Sequence, residues 1–274
     1  MADATPNPED LARQARQHLE SLKAEGVEWL PKAPPPAARR CKPAAADAPA
    51  PAPAAAETGS LFQEERPAAA PPGLTPDQRR RELEVLAQRV STCTRCAELA
   101  ATRTQTVFGA GPVDAELCLI GEAPGADEDR LGEPFVGAAG QLLNRILAAC
   151  GFKREDVYIC NIIKCRPPGN RTPKPEEAAN CREYFTQQIE LLRPKFICAL
   201  GSSAAQNLLQ TTQSLGRLRG RFHDYRGIPV LVTYHPAFLL PHRQPERKRD
   251  VWEDMKLLLQ KMGRPVPKPG GQKS

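Results

Sequence analysis

Short apolar segments alternate with amphipathic, helix-like segments along the C-terminal part of this 274-residue chain, and this alternation constrains its fold most strongly. The apolar segments lie at 117–120, 157–163, 196–200 and 230–234, the last paired with the residues before Gly227. The helix-like segments lie at 142–150, 175–192, 201–209 and 246–262, after an earlier helix that starts at Thr75-Pro76. Strands that are apolar throughout are typical of a parallel sheet covered on both faces. The sequence therefore predicts an α/β fold with a mostly parallel central sheet flanked by helices on both faces.

A segment rich in Pro and Ala separates this part of the chain from its N-terminus. Between residues 31 and 73, 26 of 43 residues are Pro or Ala, a composition that favours an extended, disordered linker. Residues 1–30 carry a helix-start signal at Asn7-Pro8 and one apolar face, which predicts either a frayed terminal helix or a docking peptide for another protein. We therefore expect this short amphipathic helix, the linker, one folded domain at 74–263 and a disordered tail at 264–274.

Charge and hydropathy narrow the class of protein. The net charge of +6, from 38 Lys and Arg against 32 Asp and Glu, fits a polyanionic partner such as nucleic acid only weakly. No stretch approaches the roughly 20 apolar residues that span a bilayer, and the acidic N-terminus lacks the pattern of a signal peptide. We expect a monomeric cytoplasmic protein without membrane association. Its nine cysteines are then expected to be metal ligands or core residues, because that compartment disfavours disulfides.

Four cysteines are candidate metal ligands. Cys93 and Cys96 form a Cys-x2-Cys pair in a polar run at the end of a predicted helix. Cys165 follows the second predicted strand, and Cys181 lies on the next helix. Four thiolates suit either zinc or a four-iron cluster, and spacing alone favours zinc. The cysteines inside apolar segments are predicted to be core residues, namely Cys118, Cys150, Cys160 and Cys198.

Unusual residues follow the predicted strands, at the edge where ligands bind in open α/β sheets. Glu122 lies in a Gly-rich turn after the first strand, where a carboxylate suits a cationic transition state. Glu128 and Asp129 come next, either as an acidic helix start or as part of the same site. Phe135 lies among Gly and Pro residues, where core packing explains it poorly. Stacking on a flat ligand such as a nucleobase is a better explanation for this side chain.

Two further residues are candidates for ligand binding. Asn161 interrupts an apolar strand, and its amide offers one acceptor and two donors. It could read the edge of a base, or it could satisfy the backbone of its own strand. His235 follows the last strand, at the same sheet edge as the other candidates. A single histidine is often structural, but this position favours a role in the site.

Five motifs occur in order between about residues 90 and 260. They are GEAPG at 121–125, GEPFVG at 132–137, NIIKCRPP at 161–168, NRTP at 170–173 and HPAFLL at 235–240. Together they closely resemble the family 4 uracil-DNA glycosylases. The resemblance implies a DNA-repair enzyme that flips uracil out of DNA and hydrolyses its N-glycosidic bond, leaving an abasic site.

The resemblance also implies a cofactor and residue roles. It implies a [4Fe–4S] cluster, which favours iron over zinc, on Cys93, Cys96, Cys165 and Cys181. It implies uracil contacts from Gly121, Glu122, Ala123, Glu128, Phe135, Asn161 and His235. Glu122 is the best candidate for the catalytic carboxylate, which would stabilise the sugar cation and orient water. His235 would donate a hydrogen bond to the uracil oxygen on which charge accumulates.

Two alternatives stay open at the level of sequence. The chain could be a catalytically weak DNA-binding or polymerase-associated adaptor with the same fold and cluster. The presence of Glu122, Asn161 and His235 argues against this alternative. The pocket motifs contain no other lysine suited to Schiff-base chemistry, but Lys164 is close enough in sequence to keep that chemistry open.

Overall fold

The computed structural model describes residues 74–267, so the predicted helix 1–30, the linker 31–73 and residues 268–274 of the tail lie outside the described residues. The helices within this range are α1 Pro76–Ser91, α2 Ala97–Thr102, α3 Ala126–Leu131, α4 Ala138–Ala149, α5 Pro175–Leu192, α6 Ser202–Leu209, α7 Leu215–Leu218 and α8 Lys248–Lys261. The strands are β1 Leu117–Gly121, β2 Tyr158–Asn161, β3 Phe196–Leu200, β4 Phe222–Tyr225 and β5 Ile228–Thr233. Among these helices, none combines the length and the hydropathy needed to cross a membrane.

The five strands form one sheet in the order β2-β1-β3-β5-β4. β2, β1, β3 and β5 run parallel, and β4 is antiparallel to β5 across the turn at Gly227. The predicted α/β class, the mostly parallel sheet and the pairing before Gly227 are confirmed. Because β2 and β3 lie on opposite sides of β1, the strand order reverses at β1. Such a reversal opens a crevice at the carboxyl ends of the strands, where ligands bind in this class of fold.

Both faces of the sheet are covered, which explains why the strands are apolar throughout. Cys118 and Ile120 of β1 face a core layer that contains side chains from α1, α2, α5 and α6. Leu117 and Leu119 alternate with them and face a second layer, built from α4 and α8. The four predicted core cysteines are confirmed as buried, with exposed fractions of 4% or less.

Several predicted element boundaries differ from the structure, three of them instructively. The second strand ends at Asn161, whereas the predicted apolar segment continues through Ile162 and Ile163, which are buried beyond the end of the strand. Helix α4 begins at Ala138, because small residues form a first turn that carries no apolar periodicity. The last helix begins at Lys248, after a separate 3-10 turn at Pro245–Arg247. The apolar pattern therefore predicted the buried part of each helix or strand, but not the residues at which the helix or strand begins and ends.

Candidate active site

A cavity of about 550 Å³ lies at the carboxyl ends of the parallel strands. Its volume is within the range of roughly 300–1,000 Å³ that small-molecule sites occupy. Six of the seven predicted uracil contacts line it, namely Glu122, Ala123, Glu128, Phe135, Asn161 and His235. The fold therefore brings together residues that are more than a hundred positions apart in the sequence.

Gly121, the seventh predicted contact, lies behind the cavity wall and makes room for two of the others. It is the last residue of β1 and is paired in register with Asn161 of β2. A Cβ atom at Gly121 would lie 2.3 Å from Asn161 Oδ1 and 2.6 Å from Phe135 Cζ. Only glycine therefore lets the amide and the ring approach the end of β1 together.

Asn161 is buried, and its side-chain oxygen is free. The residue is 1% exposed, and Oδ1 has no hydrogen-bond partner among the described residues. An unsatisfied buried polar atom costs about 1–3 kcal/mol, so a structural asparagine would be expected to pair it. The main-chain oxygen of Asn161 does have a partner, because Lys164 Nζ donates to it at 2.8 Å. The alternative that the side chain of Asn161 satisfies its own strand is therefore not supported.

His235 carries its proton on the ring nitrogen that remains free. It caps the 3-10 turn Pro236–Leu239, and Nδ1 accepts a hydrogen bond from the backbone N–H of Ala237 at 3.1 Å. An accepting Nδ1 leaves Nε2–H as the donor of the neutral ring. Burial lowers the pKa of His235 to about 4; the charge of Glu128 opposes this effect and that of Arg243 adds to it. At neutral pH the imidazole is therefore an uncharged hydrogen-bond donor.

Phe135 belongs both to the cavity wall and to the core. Its ring is 5% exposed, packs in the layer formed by α4 and α8, and lies 5.4 Å from the His235 ring between centroids. The expectation that core packing explains this residue poorly is wrong. Phe135 has a positive φ of 53°, which turns the ring of this loop residue inward. Gly140 permits the turn, since a Cβ atom there would lie 1.8 Å from Phe135 O.

Arg154 clamps the loop that carries Phe135. Its guanidinium donates to the main-chain oxygens of Pro134 and Phe135 and to Oδ1 of Asn144, the last two at 3.2 Å. It also pairs with Glu133 at 3.1 Å. No motif distinguishes Arg154 in the sequence, where it is one of many charged residues. Its position just before β2 brings it against a loop about twenty residues earlier.

Glu122 is a second carboxyl group of the cavity besides Glu128, and two hydroxyl groups that were not among the predicted site residues affect its pKa. Burial raises the pKa of Glu122, while hydrogen bonding to Ser203 and Thr172 lowers it. Ser203 follows β3, and Thr172 belongs to the NRTP motif. Their places after a strand and in a motif were the available signals, but neither residue type is distinctive alone.

Glu128 lines the cavity and also organises the surrounding backbone. Its carboxylate accepts hydrogen bonds from the backbone N–H groups of Gly125, Val136 and Gly137 at 2.9–3.0 Å. The acidic helix start and the pocket residue are thus the same group, at the N-terminus of α3. Asp129 does not line the cavity. It is 2% exposed and accepts from the backbone N–H of Thr104 at 3.0 Å, which is a structural role.

Lys164 lies outside the cavity. Its side chain is fully buried, and Nζ donates to the main-chain oxygen of Asn161 and, at 2.5 Å, to Oε1 of Gln188. A Schiff-base nucleophile must reach the sugar carbon that it attacks. This placement therefore argues against the Schiff-base chemistry that the sequence left open.

The four candidate ligand cysteines share a second, smaller cavity, lined by Cys93, Cys96, Cys165 and Cys181. Arg103 donates to Cys165 Sγ at 3.0 Å, and Asn180 Nδ2 donates to Cys96 Sγ at 3.5 Å. In the described range, no three His, Cys, Asp or Glu side chains are placed to hold one metal ion. Four thiols around one cavity form the candidate site for either metal group that the sequence predicted, zinc or an iron–sulfur cluster.

Comparisons with known proteins agree with this geometry. A family model described as the uracil DNA glycosylase superfamily matches residues 108–256, and the chain belongs to this superfamily. A type-4 uracil-DNA glycosylase of Thermotoga maritima is 45% identical over 175 residues, covering 63% of this chain and 91% of the relative. One from Archaeoglobus fulgidus is 39% identical over 193 residues, covering 68% and 96%. Within the superfamily, the chain is a member of the type-4 uracil-DNA glycosylases, as its motifs predicted.

Proposed function

We propose that this protein removes uracil from DNA by hydrolysing the N-glycosidic bond, leaving an abasic site. The observation that carries the proposal is the buried Asn161 amide, whose Oδ1 lacks a partner among the described residues. This amide faces a cavity that also contains the Glu122 carboxyl group and the His235 ring. Membership of the type-4 family gives the reaction class, and the cavity supplies groups suited to it.

Uracil recognition follows from hydrogen-bond complementarity. Uracil presents an N–H donor at N3 and an acceptor at O4, and one amide can pair with both. Asn161 Oδ1 would accept from N3–H, and Nδ2 would donate to O4. The base must first leave the stack, at a cost of a few kcal/mol. Stacking on the Phe135 ring would offset part of that cost.

Cleavage of the N-glycosidic bond places positive charge on the sugar and negative charge on uracil. The cavity contains one group that could stabilise each charge. Positive charge develops on the sugar, much as glycoside cleavage passes through an oxocarbenium-like state. The ionised Glu122 carboxylate would stabilise it and orient the attacking water. Negative charge develops on uracil, and the neutral His235 ring would donate Nε2–H to the uracil oxygen. Because His235 is uncharged, it acts by hydrogen bonding and does not transfer a proton at the start of the reaction.

The cofactor of this proposal is a [4Fe–4S] cluster on Cys93, Cys96, Cys165 and Cys181. The support for it is the shared cavity with its N–H···S donors, together with the family resemblance. When bound, the cluster would cross-link the segment between α1 and α2, helix α5 and the loop after β2. No step of the hydrolysis requires it.

Three further properties belong to the same proposal and rest on sequence. A monomeric state and an intracellular location suit an enzyme that acts on cellular DNA. A protein partner for residues 1–30 follows from their amphipathic pattern. These residues lie outside the described range.

The proposal is tested by cleavage of a DNA oligonucleotide that contains one uracil, followed by alkali. The full-length protein should produce a strand break at uracil and none at thymine. Glu122→Gln should reduce the single-turnover rate by about a hundredfold or more. The exposed Glu155→Gln is the matched control and should leave the rate unchanged. Absence of cleavage by iron-replete parent protein would favour the adaptor alternative.

A further inference from the structure

Lys164 is a completely buried cation without an anionic partner. Its exposed fraction is 0%, and both acceptors of Nζ, the main-chain oxygen of Asn161 and Oε1 of Gln188, are neutral. Within residues 74–267 no carboxylate pairs with it at salt-bridge distance. A buried ammonium group without a counter-charge is costly, because it has lost its hydration. The counter-charge must therefore come from another kind of group.

The surroundings of Lys164 are built to hold a cation. Nζ lies 5.7 Å from the ring centroids of both Phe108 and Phe185, within the range of cation–π contacts. The amide of Gln188 is oriented by its own bonds, since Nε2 donates to Phe108 O at 3.0 Å and to the Tyr158 hydroxyl at 2.9 Å. Oε1 is thereby directed at the lysine. These contacts stabilise the cation but add no negative charge.

Lys164 is adjacent to the four-cysteine cavity. It lines this cavity, and its sequence neighbour Cys165 is one of the four candidate ligands. The backbone of Lys164 also hydrogen-bonds to Cys181, another candidate ligand. Thiolates bound to an iron–sulfur cluster carry net negative charge. They are therefore the available counter-charge for this ammonium group.

The same side chain reaches toward the uracil cavity. Nζ donates to the main-chain oxygen of Asn161 at 2.8 Å, three residues earlier, and closes the turn by which the chain leaves β2. Asn161 ends the strand on one side of this turn, and Cys165 follows it on the other. The hydrogen bond from Lys164 to Asn161 thus connects the residue next to candidate ligand Cys165 with the residue that would read the base.

We propose that Lys164 is a positioning residue that joins the two sites. Its ammonium group is a buried counter-charge of the iron–sulfur cluster, in addition to the Arg103 guanidinium at Cys165 Sγ. Its bond to the main chain holds the amide of Asn161 toward the base. This inference rests on the proposed cluster and on the proposed role of Asn161. It assigns Lys164 no contact with the substrate.

The test compares full-length Lys164→Met with the parent protein. The methionine removes the charge and the bond while keeping a long apolar side chain. Loss of a nearby positive charge should shift the one-electron reduction potential of the cluster to a more negative value. Loss of the Asn161 bond should weaken inhibition by free uracil roughly tenfold. Lys195→Met, which removes a charge from an exposed pair with Glu116, is the control and should change neither quantity.

A second variant keeps the inference testable if Lys164→Met does not fold. Gln188→Glu has the same shape and places a carboxylate beside Nζ, although it loses the bond to Phe108 O. It should shift the potential in the same negative direction and leave uracil inhibition within about twofold of the parent, because the bond to Asn161 is kept.

The outcomes separate this inference from the proposed function. Parent protein that lacks iron or does not excise uracil would contradict the proposed function itself. If the parent has both, an unchanged potential in Lys164→Met or in Gln188→Glu would overturn the counter-charge. Unchanged uracil inhibition in a folded Lys164→Met would overturn the positioning of Asn161.

Discussion

The backbone N–H of Ala237 donates to Nδ1 of His235 at 3.1 Å, and this bond decides which nitrogen of the ring faces a ligand as a donor. In a neutral histidine, the hydrogen bond that one ring nitrogen makes decides whether the other nitrogen carries the proton. Together with burial, which lowers the pKa of His235 to about 4, the bond keeps the ring neutral with its proton on Nε2. The pH dependence of the enzyme follows from this arrangement.

We expect His235 to contribute no inflection to the excision rate between pH 5.5 and pH 8. A group with a pKa of about 4 is neutral throughout this interval, and it becomes protonated only as the pH falls through that value. NMR titration of the ring protons should therefore give a midpoint well below 6.5, with His235→Gln used to assign the signal. A midpoint between 6 and 7 would contradict the prediction. The acid limb of the rate should instead come from Glu122, whose pKa is raised by burial.

Asn161→Asp should reduce uracil excision by at least about a hundredfold. An ionised carboxylate would face the acceptor O4 of uracil with another acceptor, whereas its protonated form could pair with cytosine and permit weak cytosine removal. The fold and the iron content should survive, because Asn161 is not a candidate ligand. Single-turnover assays on both bases check this prediction, with Gln187→Glu, at a half-buried position away from the cavity, as the same amide-to-acid change elsewhere. A folded, iron-containing variant that excises uracil at the parent rate would leave Asn161 a structural residue.

The purified protein should be brown and should contain about four irons per chain. Cys165→Ser should lose the colour and much of the folded structure, because it removes one of four thiolates from the shared cavity. Cys118→Ser is the matched control and should keep the colour, since Cys118 is a fully buried core residue of β1. Metal analysis and visible absorbance measure both outcomes. Zinc without iron after anaerobic purification would contradict the cluster assignment.

Gly140→Ala should destabilise the protein by about 1–3 kcal/mol and lower the rate of uracil excision. The new Cβ atom would lie 1.8 Å from the main-chain oxygen of Phe135, so the loop that carries the ring must move away from α4. Gly216→Ala on α7 is the control, because a Cβ atom there meets nothing within 4 Å. The control should be neutral or slightly stabilising. Thermal unfolding of both variants tests the prediction, and equal stability would show that the Phe135 loop moves freely.

Deletion of residues 1–73 should leave excision from naked DNA nearly unchanged. The candidate ligands and the lining of the uracil cavity all lie between Cys93 and Arg243. The N-terminal residues are expected to matter for a protein partner and not for chemistry. The test is to compare the single-turnover excision rate of the full-length protein with that of the truncated, soluble protein. A large loss of rate after truncation would contradict the prediction and show that these residues contribute to catalysis.

The sequence by itself determined the fold class, the family and six of the residues that line the cavity. Continuous apolar strands indicate a sheet covered on both faces, and this information is local, because each strand shows it within a few residues. The ends of the strands then located Glu122, Asn161 and His235 at one edge, since parallel strands end on the same side. The family resemblance added a uracil contact for Glu128 and favoured iron over zinc for the four cysteines that the sequence had already selected.

Only the tertiary structure decided how these residues are held, because that depends on contacts between positions far apart in the chain. The burial of Phe135 requires the clamp of Arg154 and the space left at Gly140. The burial of Lys164 beneath both sites depends on Gln188, 24 residues away. The periodicity of the sequence does not show which distant residues contact each other, because the packing of the helices on the sheet determines the distances between them. The sequence therefore supplied the chemical groups of the site, and the packed core supplied their orientation and their charge states.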